Sequence, residues 1–130
     1  MVIKRVLLPA RVRKLPRQFS WVDQRLVRER YTERCDANAL ALYLVLVTVA
    51  DAQGLSYYSD AAIGRSLSMD AAILNKARRD LAQARLLAYE KPLYQVLALD
   101  LPRPRANPEA HRGQLRSLRE WLAAGLEKAA

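Results

Sequence analysis

The sequence predicts a mainly α domain: a buried helix supports two shorter helices joined by a tight turn, and a strand hairpin follows. Three observations predict it. The run 36–54, "DANALALYLVLVTVADAQG", is apolar around nearly its whole circumference, as a helix buried on several sides must be. Two segments, "SDAAIGRSL" (59–67) and "DAAILNKARRDLAQARL" (70–86), each open on a capping side chain and carry apolar residues at helical spacing. Two alternating stretches, 86–90 and 93–99, then flank Lys91-Pro92 as the arms of a tight hairpin. A chain of 130 residues suffices for one such domain with its own core.

Taken in order, residues 1–17, "MVIKRVLLPARVRKLPR", interleave basic and apolar positions around Pro9 and Pro16. Those prolines oppose a continuous helix, so an extended basic arm is expected, with room for a short strand at Ile3 to Leu8. "FSWV" (19–22) is aromatic and β-branched, the composition of a short strand. Asp23 then caps a short helix that turns Leu26, Val27 and Tyr31 inward. Asp36 is expected to cap the buried helix and Gly54 to end it in a left-handed conformation. Leu40, Tyr43, Leu44, Val47 and Ala50 would form one face of it, and Leu42, Leu46 and Val49 another. "LSYYS" (55–59) reads as a short strand with one of Tyr57 and Tyr58 inward. Ser59 and Asp70 cap the two helices of the pair, with a break at Leu67 to Met69. Residues 101–107 form a stiff basic linker, and Asn107-Pro108 starts a last helix over 108–128.

Charge narrows the partners. The formal net charge is +9 and the isoelectric point is near 10.2, which points to an anionic partner, most often nucleic acid. Its distribution is uneven. Residues 1–17 hold Lys4, Arg5, Arg11, Arg13, Lys14 and Arg17 without one acid. Residues 18–58 come to −1, residues 59–100 to +1 and residues 101–130 to +3. The excess sits at the two ends, and the expected core is nearly neutral.

From Asp36 the order is helix, short strand, helix, turn, helix and hairpin, with the turn of a length that sets two helices roughly perpendicular. The residues that carry it are "SDAAIGRSLSMD" and "AAILNKARRDLAQARLLAYE". Residues 36–99 thereby resemble the winged helix-turn-helix domain of bacterial replication initiators and transcriptional regulators, many carried by mobile elements. The resemblance implies that Met69 fills the turn, Asp70 caps the reading helix, and Leu74, Ala77 and Leu81 face the core. It implies a winged domain over 18–100, with a wing of two to three strands and the helix 108–128 as an addition. Two positions depart from the pattern. Arg85 stands where a left-handed glycine is usual, at a cost of ~1 kcal/mol. Arg78 stands where an apolar side chain is common, so it must snorkel or change the packing.

With those core positions inward, Ala71, Ala72, Asn75, Lys76 and Arg79 point outward. Asn75 suits a bidentate contact with adenine, Lys76 and Arg79 suit phosphates, and Ala71 and Ala72 can touch thymine methyls. Arg65 and Lys91 add to this expected DNA surface. Arg11, Arg13, Lys14 and Arg17 would track phosphates or enter a minor groove, and Arg103 and Arg105 would extend the surface after the wing. The expected partner is double-stranded DNA, with affinity mostly from phosphates and modest base selectivity. RNA fits the charge, but no RNA-specific signature is present.

The competing class is a protein-interaction module. Leu115, Leu118, Leu122 and Leu126 form a stripe near coiled-coil spacing, which fits either packing on its own domain or a homodimer or larger partner. Trp21 and Trp121 read as core or interface aromatics and His111 as surface. Cys35 reads as a small buried filler, and with no second cysteine a reducing cytoplasm fits best. No catalysis, cofactor, metal or small-molecule substrate is expected. There is no Gly-rich phosphate loop, no nucleophile with a nearby base and no metal-ligand cluster. The longest apolar run, Ala39 to Ala50, is too short to span a bilayer, and the basic amino terminus lacks the apolar stretch of a signal peptide.

Overall fold

Capping side chains decide where the helices start. In the computed structural model, which describes residues 2–100, Asp36 Oδ1 accepts the Ala39 N–H at 2.8 Å and opens the helix Ala37–Val49. Ser59 Oγ accepts the Ala62 N–H at 3.1 Å and opens Asp60–Leu67. Asp70 Oδ1 accepts the Ile73 N–H at 2.8 Å and opens Ala71–Gln83. Each satisfies one of the donors a helix start leaves without a partner. With the short helix Arg25–Arg28, these are α1 (Arg25–Arg28), α2 (Ala37–Val49), α3 (Asp60–Leu67) and α4 (Ala71–Gln83).

Three short strands complete the body: β1 (Leu55–Tyr57), β2 (Leu87–Glu90) and β3 (Leu93–Val96). They form an antiparallel sheet in the order β1-β3-β2. Tyr57 faces Leu93 across one ladder, and Tyr89 faces Tyr94 across the other. Lys91-Pro92 closes the hairpin through a cis peptide bond. The described fold is therefore helices plus a small three-stranded antiparallel sheet, more mixed than the mainly α expectation, with a strand number inside the expected two to three.

The core lies where α2, α3, α4 and the sheet meet. Ala39, Leu42, Tyr43 and Leu46 of α2 meet Ile63, Leu74, Ala77 and Leu81, and Leu86, Leu87 and Tyr94 close it from the sheet side. Leu74, Ala77 and Leu81 are inward as expected. The turn between α3 and α4 is tight because Gly64 has no side chain. Its carbonyl accepts the Met69 N–H at 2.9 Å, and a Cβ there would sit 2.7 Å from the Met69 oxygen. Ser68 takes the left-handed conformation the turn needs (φ 54°), and Met69 packs against the core beneath it.

Several expectations are corrected. Neither Ile3–Leu8 nor 19–22 forms a strand, and Pro9–Arg11 is a single 3-10 turn. β-propensity describes a fit to a half-buried pleated surface, and these segments have no sheet to join. Trp21 is 76% exposed. Only Leu26 of α1 is buried, Val27 is exposed, and the left-handed Arg30 (φ 63°) breaks the chain before the 3-10 turn Tyr31–Arg34. Gly54 is left-handed (φ 84°) but does not stop α2, which ends at Val49. It instead completes the turn from Asp51 and lies against β3, where a Cβ would meet the Val96 oxygen at 2.5 Å. The core face of α2 takes residues from both expected faces, and Leu44 is exposed. Tyr57 and Tyr58 are both exposed, and β3 ends at Val96, short of residue 99. Among the described residues no helix is long and apolar enough to cross a membrane. The linker 101–107 and the helix expected over 108–128, with Arg103, Arg105, His111, Leu115, Leu118, Trp121, Leu122 and Leu126, lie outside the described residues.

Candidate nucleic-acid interface

The outward side of α4 presents Ala71, Ala72, Asn75, Lys76 and Arg79, all exposed. Helical periodicity forces this once Leu74, Ala77 and Leu81 are buried. The side chains are not equally available. Lys76 Nζ lies 2.9 Å from Asp36 Oδ2 and 3.0 Å from Asp80 Oδ2. The hydrogen bonds to Asp36 and then Asp80 raise its pKa, and both are surface ion pairs on an exposed side chain. Asp36 thus caps α2 with one oxygen and ties α2 to α4 with the other. Its pKa falls through the Ala39 N–H first and Lys76 second. Arg79 and Arg65 make no ion pair among the described residues.

Arg78 neither snorkels nor stays apart. It is 8% exposed and changes the packing around it. Nη1 donates to Asp60 Oδ1 at 2.9 Å and to Tyr94 Oη at 2.5 Å, while Nη2 donates to Asn75 Oδ1 at 2.6 Å and more loosely to Asp60 Oδ2 at 3.4 Å. Its guanidinium lies over the Tyr89 ring, 4.3 Å from the centroid, and that ring stands 4.5 Å from the Tyr94 ring. One side chain therefore joins α3, α4 and both strands of the hairpin. Burial opposes the Arg78 charge, but the bonds to Asp60 and Tyr94 outweigh it and its pKa rises. Asp60 is held below its ordinary value, first by the Arg78 hydrogen bond, with Lys91 at the hairpin tip a smaller contributor.

The arm is different in kind. Lys4, Arg5, Arg11, Arg13, Lys14 and Arg17 are all exposed, and among the described residues none forms an ion pair. Its root is fixed by Ser20 Oγ, which donates to the Thr48 carbonyl at 3.0 Å. Leu44 and Thr48 lie about 160° around α2 from buried Leu46, so the arm leaves from the side of α2 facing away from the core.

Sequence reasoning missed an apolar surface at that root. Phe19, Val22 and Leu44 line a depression together with Arg13, Lys14 and Leu15. Beside it, Phe19, Trp21, Tyr43 and Val47 wall an open groove of about 500 Å³ that runs to Gln95–Leu99. The signal is four large apolar residues, Phe19, Trp21, Val22 and Leu44, whose pattern suits a strand and a core face equally well. Cys35 is half-buried against the core, and burial, then Asp80 and Asp36, push its thiol pKa up, which suits a filler. Among the described residues no group of His, Cys, Asp and Glu gathers to hold a metal ion.

No protein-family model matches the chain, and no significant similarity to a curated protein or to a solved structure is found.

Proposed function

We propose that this chain is a winged helix-turn-helix protein that binds double-stranded DNA, anchored mainly by phosphate contacts. In this reading α3 and α4 are the helix-turn-helix pair and the β2–β3 hairpin is the wing. The observation that carries it is the arm: six exposed cations, no acid among them, on a body that neutralises much of its own charge. Released counterions favour such a segment on a polyanion, whatever the base sequence. On α4, Arg79 remains available for phosphate, and Arg65 and Lys91 extend the cationic contacts. Lys76 contributes less, because Asp36 and Asp80 already hold it. The resemblance to replication initiators and regulators of bacterial mobile elements supports a role as a regulator or an accessory of replication or transposition, in a reducing cytoplasm.

The test is fluorescence anisotropy with a labelled duplex of random sequence. Binding is expected at low salt and should weaken steeply as salt rises. No binding at low salt overturns the proposal. A second reading has its own observation. Phe19 (62% exposed), Trp21 and Leu44 (60% exposed) form an apolar surface on a nearly neutral body, as a protein-docking module would. Absence of duplex binding at low salt, with Trp21→Ala abolishing a protein contact, would favour it.

A further inference from the structure

The segment 2–22 exposes more than charge. Of the sixteen large apolar side chains exposed among the described residues, ten lie between Val2 and Val22, each at least 53% exposed. They are interleaved with the six cations: "VIKRVLL" (2–8) sets two basic residues between apolar ones, and "VRKL" (12–15) repeats the arrangement. No acid precedes Asp23, whose carboxylate is paired with Arg25 at 2.7 Å. The regular structure in residues 2–22 is the single 3-10 turn Pro9–Arg11. At the root Ser20 is bonded to Thr48, while Phe19 and Trp21 stand exposed, Phe19 in the depression it shares with Arg13 and Lys14.

The phosphates of a duplex answer the cations but leave these apolar side chains in water. In an extended chain neighbours such as Val2 and Ile3 point to opposite sides, so the surface of a folded protein would meet only one of each pair. An anionic bilayer accepts both kinds at once. Headgroups meet the cations, the acyl boundary takes the apolar side chains, and no register has to be matched. Apolar insertion joined to a polybasic segment holds a chain on a membrane far better than either alone. Trp21 is of the type that settles at headgroup level. We propose that residues 2–22 form a lipid-binding arm that lays the chain on an anionic membrane surface without crossing it. The proposal does not rest on the DNA-binding reading, because it concerns apolar side chains that a duplex leaves unused. The cations are common to both, so bilayer and duplex compete for the arm.

The experiment is sedimentation of the full chain, at physiological salt, with vesicles of phosphatidylcholine alone or of phosphatidylcholine mixed with phosphatidylglycerol. Partition onto the mixed vesicles should exceed that onto phosphatidylcholine by more than about tenfold. A variant combining Ile3→Ser, Leu7→Ser, Leu8→Ser and Leu15→Ser changes only exposed positions. It should lose at least about tenfold in partition onto mixed vesicles, while its duplex binding stays within about twofold. Tryptophan emission should shift to the blue on mixed vesicles in the wild-type chain and in Trp121→Phe, and not in Trp21→Phe. A shift that follows Trp121 would put the contact at the other end of the chain and overturn the proposal. So would the absence of binding to mixed vesicles, which would leave these apolar side chains to a protein partner. Equal partition onto both compositions also overturns it. So does a serine variant that keeps its partition, since charge alone would then hold the chain, or one that loses duplex binding equally. Should the wild-type chain bind no duplex, the earlier reading falls, and the vesicle measurements decide this one by themselves.

Discussion

Replacing Arg78 tests the arrangement that joins the helix pair to the hairpin. Arg78→Ala removes a stack on Tyr89, leaves the buried Tyr94 hydroxyl without its donor, and opens a void beside α4. A buried polar group left unpartnered costs about 1–3 kcal/mol and the lost stack about 1 kcal/mol. The Asp60 share is small. Its side chain is half exposed, so it rehydrates on release and that pair is worth no more than ~1 kcal/mol. The expected loss is about 3 kcal/mol, the lower end for breaking a buried pair. Arg78→Met loses the same hydrogen bond and stack but keeps most of the stem volume, so it should be about 1 kcal/mol more stable than Arg78→Ala. Urea unfolding followed by circular dichroism reads both. A loss under ~1 kcal/mol for Arg78→Ala would refute the view that this side chain organises the junction. So would an Arg78→Met variant no more stable than Arg78→Ala, since packing of the stem would then count for nothing.

Other expectations follow from backbone and charge. Arg85 is held left-handed at φ 62°, so Arg85→Gly should raise stability by about 0.5–1 kcal/mol in the same assay, and a loss would mean the side chain matters more than the strain. Gly64→Ala should destabilise by more than ~1 kcal/mol, because the new Cβ meets the backbone oxygen of Met69, not a yielding side chain; a stable variant would contradict the close turn. Asp60 has a folded-state pKa below its ordinary value of 3.8, so its stabilisation is present at neutral pH and is lost as pH falls below about 4. Asp60→Asn should therefore flatten the acid limb of a stability–pH curve, and an unchanged limb would count against the pair. In duplex binding, Arg79→Ala should weaken affinity more than Lys76→Ala; the reverse order would show that the Asp36–Lys76–Asp80 contacts break on binding.

What could be read in the sequence was what acts locally. Asp36, Ser59 and Asp70 cap helices through side chains that reach three residues along the chain, so their roles were visible there. The inward row Leu74, Ala77 and Leu81 needed only the helical period. Contacts distant in sequence were not visible. Lys76 looked like a free phosphate ligand because its partner Asp36 is forty residues away. Arg78 looked like a misfit because Asp60 and Tyr94 lie eighteen and sixteen residues off on either side. "FSWV" had the composition of a strand but no neighbouring strand to pair with, and the apolar period of α2 could not tell that Leu44 is exposed rather than in the core.

In the proposed function the arm supplies the main affinity, and salt dependence tests that most directly. For duplex DNA, log affinity falls against log salt with a slope of about −0.9 for each phosphate neutralised. If all six cations of residues 1–17 engage phosphates, they contribute about −5 to that slope, which alone weakens binding roughly 10³-fold between about 50 and 200 mM salt. Binding of the full chain and of a chain lacking residues 1–17, each titrated across that range, should differ by most of this slope. A steep slope that survives removal of the arm, or a shallow slope in the full chain, would contradict the account.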